Sequence, residues 1–148
     1  MTPAERFATV EVARLATAGP DGPHLVPIVF ALLPAASDPA TPDAVPGRSP
    51  EHDRIVFAVD GKPKRSRALK RLANIAADPR VSVLADHYEP DWSRLWWVRA
   101  DGTARVLEAY GEALEALKER YPRYRESPPA GPFVEITVER WSAWVSHA

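Results

Sequence analysis

The sequence predicts a mainly β domain, an antiparallel barrel of about six strands with three to four helices at its edges. Three observations carry that reading. Apolar, β-prone stretches at 12–18, 24–33, 54–59, 80–85, 92–108 and 133–138 mostly follow one another without a crossover helix between them. Helical signals are confined to residues 2–10, 66–78 and 109–121. Two proline-bearing polar stretches, 34–53 and 122–132, interrupt the pattern without offering core residues. The order helix, two strands, strand, helix, two strands, helix, strand suits a barrel better than a parallel sheet.

Taken in order, Thr2-Pro3-Ala4-Glu5 reads as a capping box with proline at the first helical position. It opens a short helix to about Val10, with Phe7 and Val10 facing inward. Strands 12–18 and 24–33 flank the turn signal Gly19-Pro20-Asp21-Gly22 and should pair as a hairpin. Pro34 to Asp53 holds five prolines and almost no large apolar residue, so it is expected to be a loop. A buried strand at Arg54–Val59 precedes a helix over Ser66–Asp78, with Ser66 as N-cap and Pro79 as the stop. Ala68, Leu69, Leu72, Ile75 and Ala76 form the apolar arc of that helix.

Arg80–Ala85 is the next strand, followed by the turn-rich Asp86-His87-Tyr88-Glu89-Pro90-Asp91. Trp92 to Glu108 is extended. Its Asp101-Gly102 fits either a hairpin turn or a glycine within one bulged strand. Alternation sends Trp96 and Trp97 to opposite faces, one toward the core and one toward a partner, a ligand or water. Helix 109–121 ends at Pro122, 122–132 is a loop, and Phe133–Val138 closes the barrel, with Arg140–Val145 following it.

Composition narrows the function classes. At 148 residues one domain over 1–148 is expected. The formal net charge of −1 argues against a general nucleic-acid binder. Without cysteine there is no disulfide or thiolate chemistry, and the four histidines lack ligand-like spacing, so no metal site is expected. No run approaches a membrane span, and the N-terminal residues lack the regions of a signal peptide. A soluble, cytoplasmic protein is expected.

Against this ordinary background, six of the 19 Lys and Arg residues lie within the ten positions from Lys62 to Arg71. Lys64, Arg65 and Arg67 sit where a helix begins, and cations there oppose the macrodipole by about 0.3–1 kcal/mol each. An anion would reverse that cost, since free N–H groups and side chains would all direct positive charge at it. A phosphate or polyacid ligand is one reading; a solvated basic face is the other.

The hairpin HLVPIVF, the basic turn, the helix ending Asn74-Ile75-Ala76-Ala77-Asp78-Pro79-Arg80-Val81-Ser82 and the long strand with a central glycine together resemble the pyridoxamine 5'-phosphate oxidase-like superfamily, a split β-barrel, FMN-binding-like fold. DHYEPDWSRLWWVRADGTARV resembles a subgroup that uses the deazaflavin F420. The resemblance implies a homodimer with cofactor at the subunit interface. It implies that Lys62, Lys64, Arg65, Arg67 and Arg71 hold the cofactor's anionic tail, Arg71 standing where the family commonly has a phosphate-binding lysine. It places the ring along Val26, Pro27 and Ile28 and along Phe57, Ala58 and Val59, with Trp97, Trp141 and Trp144 as further candidates. No arginine occurs between Val26 and Phe30, unlike enzymes that oxidise pyridoxamine phosphate itself.

F420 is the expected cofactor and FMN the alternative, because clustered cations suit a lactyl-phosphate and oligoglutamate tail better than one phosphate. The expected activity is hydride transfer to a small organic acceptor, which makes no protein acid or base obligatory. His87 and Tyr88 are the side chains that could donate a proton. Two other classes stay open: a non-catalytic carrier of F420, FMN or haem, and a nucleic-acid module using Lys62–Arg71.

Overall fold

The structure, a computed structural model, describes residues 1–35, 51–59 and 65–147, and for 65–69 the backbone only. Seven antiparallel strands form one sheet: β1 (Val12–Gly19), β2 (Gly22–Val29), β3 (Ala31–Leu33), β4 (Arg54–Ala58), β5 (Arg80–His87), β6 (Trp96–Leu107) and β7 (Phe133–Val145). Their spatial order is β2-β1-β5-β6-β7-β4-β3. The fold is therefore the expected mainly β half-barrel with a few helices.

The strand count is seven because the return strand 24–33 breaks at Phe30. The Phe30 N–H donates to the Tyr121 hydroxyl at 3.1 Å, and that hydroxyl lies 2.9 Å from the Phe30 carbonyl and 2.7 Å from the Glu11 carbonyl. A side chain from far along the chain thus takes the backbone bonds that a ladder would have used. β2 and β3 consequently sit at the two ends of the sheet while being joined through one residue, which curls the sheet into a barrel. β3 starts opposite Val56, so Phe57 and Ala58 have no strand partner on that side among the described residues. Among the described residues β2 pairs only with β1. The barrel is split between β2 and the end of β4.

Inside lie Leu15, Ile28, Phe57, Val83, Val98 and Ile136. Helix α1 (Pro3–Phe7) carries the expected capping box and ends before Val10. It pushes Phe7 against Phe30 (4.9 Å between centroids) and Trp141 (5.2 Å). Helix α2 (Arg65–Ala77) begins one residue before Ser66, so Ser66 is helical rather than the cap. Helix α3 (Gly111–Arg120) packs outside β3 and β4 through Tyr110, Ala113 and Leu117. The stretch after it is not wholly a loop: Pro122 occupies the first position of α4 (Pro122–Glu126), where its missing N–H costs nothing. Trp92–Arg94 is a 3-10 turn capped by Asp91 rather than extended strand.

Asp101-Gly102 lies inside one continuous strand. The register steps from Asp101 opposite Arg140 to Gly102 opposite Val138, leaving Glu139 as the extra residue of a bulge in β7. Trp96 packs against the core, and Trp97 faces the other side.

One buried charge ties α3 to the sheet. Glu135, 3% exposed, accepts from the Tyr110 hydroxyl and from Arg105 Nε (2.8 Å), with Arg54 Nη1 at 3.6 Å. Burial pushes its carboxyl up, but the bonds from Tyr110 and Arg105 outweigh burial and hold it below the ordinary value. A depressed carboxylate stabilises the fold above its unfolded value of about 4.3, and the contribution is lost as pH falls through the folded value. Glu135→Gln is expected to lower stability by about 1–3 kcal/mol at neutral pH. It should also flatten the loss of stability below pH ~4.3, which denaturant melts at several pH values check.

Candidate functional site

Helix α2 packs against β1 and β6. Its residues 71, 74 and 75 share one face by the helical period, and that face turns inward. Ile75 joins the core at 3% exposure, and Asn74 is equally buried. Asn74 Nδ2 donates to Thr17 Oγ1 at 3.1 Å, pinning the helix to β1. One turn earlier, the Arg71 guanidinium stands 5.9 Å from the centre of the Phe57 ring. Its Nε is buried and has no hydrogen-bond partner among the described residues. No carboxylate pairs with it among them either. Burial holds Arg71 below its ordinary pKa, as expected for a cation partly removed from water without a compensating charge among the described residues.

A second buried nitrogen is in the same condition: Nδ1 of His24, on β2. His24 is paired in register with Thr17, the residue that holds Asn74. Alternation along β2 turns His24, Val26 and Ile28 to the inner side and Leu25 and Pro27 to the outer. Sequence reading missed His24 because it has no ligand-spaced companion. The period-two pattern with Val26 and Ile28 was the available signal.

The remaining predicted residues distribute as follows. Val26 borders the core and Ile28 is inside it, while Pro27 is exposed on the outer face. Val59 is in the barrel core at 3% exposure. Ala58 points the other way, onto the cluster under α3. Arg65 and Arg67 form the first turn of α2, but their side chains, with Lys62 and Lys64 entire, lie outside the described residues. Trp141 is a packing residue, edge-on to Phe7, with Nε1 donating to Asp53 at 3.0 Å.

Trp97 and Trp144 are direct cross-strand partners on the outer face of the sheet, away from Arg71. That face carries a groove of about 510 Å³ lined by Arg14, Leu25, Asp86, Tyr88, Trp97 and Arg99, among others. Leu25 is 67% exposed and Trp144 42%. At one end, Asp101 is held by Ser82 Oγ (2.6 Å), Arg99 Nε (3.1 Å) and Arg140 Nη2 (3.3 Å). Within one chain, then, Arg71 meets Phe57 but not the tryptophan pair. His87 and Tyr88 lie at the far end of β5 from α2, seven residues or about 23 Å along the strand. His87 Nε2 is 2.5 Å from Glu89 Oε2, and Tyr88 is exposed at the groove. Among the described residues no helix is long and apolar enough to cross a membrane.

Solved structures share this architecture. A conserved hypothetical protein of Mycobacterium tuberculosis is 25% identical with a TM-score of 0.64, over 98% of this chain and 85% of that one. A FAD-binding protein of Mesorhizobium loti is 20% identical with a TM-score of 0.62, over 94% and 88%. A heme binding protein of Mycobacterium smegmatis is 19% identical with a TM-score of 0.63, over 100% of this chain and 56% of that one. No curated protein matches the sequence. The profile of the family described as Pyridoxamine 5'-phosphate oxidase matches residues 4–145. The chain belongs to the pyridoxamine 5'-phosphate oxidase family.

Proposed function

We propose that the protein is a homodimeric F420-dependent oxidoreductase that moves a hydride between the deazaflavin and a small organic acceptor, with FMN as the alternative cofactor. The observation that carries this reading is the half-buried Arg71 guanidinium, whose buried Nε lacks a partner among the described residues. Such a donor fits an anionic oxygen, because a charge-assisted bond offsets the desolvation already incurred. The other cations of the Lys62–Arg71 cluster, in sequence beside it, favour a tail with several negative charges over a single phosphate.

When bound, the deazaflavin supplies the hydride chemistry. The chain's share is to bind, orient and exclude water. Arg71 takes the tail; Val26 offers apolar contact, and the backbone of Pro27, Ile28, Ala58 and Val59 runs beside the ring, the Ile28 and Val59 side chains being buried in the core. The two faces of the sheet support the dimer. A ligand on Arg71 reaches a Trp97–Trp144 pair only if a second copy brings its own. The groove carries both charge signs, Arg14 and Arg99 with Asp86, which a two-fold, self-complementary contact can pair.

Turnover of reduced F420 across a panel of unsaturated acceptors, followed by absorbance, tests the reaction, and sedimentation velocity tests the dimer. Oxidation of the cofactor that depends on an acceptor supports the reading. Tight binding without turnover would instead make the protein a carrier, a role in keeping with the heme binding protein that shares the fold. A monomer at all protein concentrations would remove Trp97 and Trp144 from the site.

A further inference from the structure

Two side-chain nitrogens are buried without a hydrogen-bond partner among the described residues, and only one of them, Arg71 Nε, has been given a task above. The other is Nδ1 of His24. Buried polar atoms in native proteins are satisfied with few exceptions, so an orphaned one calls for the group that completes it. Three placements say where that group lies. His24 stands opposite Thr17 in the β1–β2 register. Thr17 accepts from Asn74 of α2. Arg71 lies one turn before Asn74 on the same helical face. His24 and Arg71 therefore each stand next to one partner of the Thr17–Asn74 bridge, on the inner side of the sheet. β2 is the terminal strand of the sheet, so among the described residues no further strand lies beside His24 on the side away from β1.

We propose that His24 is a second contact to the anionic tail held by Arg71, donating Nδ1–H to one of its phosphate or carboxylate oxygens. This rests on the reading of Arg71 given above. The arginine supplies charge and the imidazole supplies direction. A neutral imidazole bearing its proton on Nδ1 suffices, so the contact does not need an imidazolium. With no arginine between Val26 and Phe30, a histidine on the same inner face is what β2 offers to an anion.

Calorimetric titration with FMN and F420, each beside its tail-less counterpart (riboflavin and the deazaflavin without its phosphate and glutamates), tests the proposal. The proteins are wild type, Arg71→Gln, His24→Leu and His24→Asn, the last keeping an amide donor near the Nδ1 position. For whichever tailed cofactor binds the wild type, His24→Leu is expected to weaken binding about tenfold while leaving its tail-less counterpart unchanged. His24→Asn should recover most of the loss, and apo melting temperatures of both variants show whether the fold persists. Equal affinity of His24→Leu and wild type for the tailed cofactor would mean that water alone satisfies Nδ1, and would overturn the proposal. Equal weakening for tailed and tail-less ligands would reduce His24 to packing and also overturn it. If Arg71→Gln loses the tailed cofactor while His24→Leu does not, the Arg71 reading stands and His24 falls. If the wild type binds neither cofactor, both fall.

Discussion

Charge reversal at Arg71 is expected to abolish the rise in melting temperature that the cofactor gives the wild-type protein. A ligand that binds only the folded chain stabilises it by mass action, about 2.7 kcal/mol at a hundred times its Kd. A glutamate at position 71 places like charge against an anionic tail, so affinity should fall by a hundredfold or more, as for loss of about 3 kcal/mol. The apo protein should hardly notice. Arg71 makes no ion pair among the described residues, and its guanidinium is already partly stripped of water. Arg71→Gln removes that cost without adding an anion, so its apo melting temperature should equal or slightly exceed the wild type's. A cofactor-induced shift of wild-type size in either variant would refute the assignment. A fall in apo stability as large as the ligand effect would make Arg71 a structural residue instead.

The largest effect on stability is expected at Gly102. A Cβ built there would lie 2.0 Å from the carbonyl oxygen of Thr137 and 2.9 Å from its carbon, both backbone atoms of β7. The bulge at Glu139 is what brings the two strands so close. Backbone cannot rotate away as a side-chain tip can, so β6 and β7 would have to separate at the centre of the sheet, beside Ala100, Ala104 and Ile136 of the core. Gly102→Ala is expected to cost about 3 kcal/mol or more, a fall in melting temperature of roughly 10 °C for a domain of this size. Gly111→Ala is the control: nothing lies within 4 Å of its added Cβ, and it sits at the start of α3, where alanine is the better helix former. Thermal melts of both variants decide the matter, and equal stability of the two would contradict the reading of the bulge.

Most of the fold was legible because its information is local. The capping box, the hairpin turn and the alternating strands each announce themselves within about ten residues. The break at Phe30 does not. HLVPIVFALL is largely apolar and carries no glycine or proline at the break. What breaks it is the hydroxyl of Tyr121, which captures the Phe30 backbone from the end of α3. Asp101-Gly102 likewise reads both ways until the register of β7 is known.

The candidate site divides in the same manner. The cation cluster stands out as a local excess of charge, but that Arg71 turns inward depends on the phase of α2 against β1, which the Asn74–Thr17 bond marks. His24 gains a neighbour on α2 only through that bond and the hairpin register. Adjacent residues reading WW were correctly assigned to two faces by alternation, yet nothing local says that the outer one shares its face with Trp144.

The most direct test of the central claim is the affinity of the wild-type protein for F420 against the same deazaflavin ring without its phosphate and glutamates, measured by calorimetry at two salt concentrations. The account predicts that the tailed form binds at least about thirtyfold tighter, as for some 2 kcal/mol of charge-assisted contact, and that the advantage shrinks as salt rises. Equal affinity for the two forms, at either salt concentration, would contradict it.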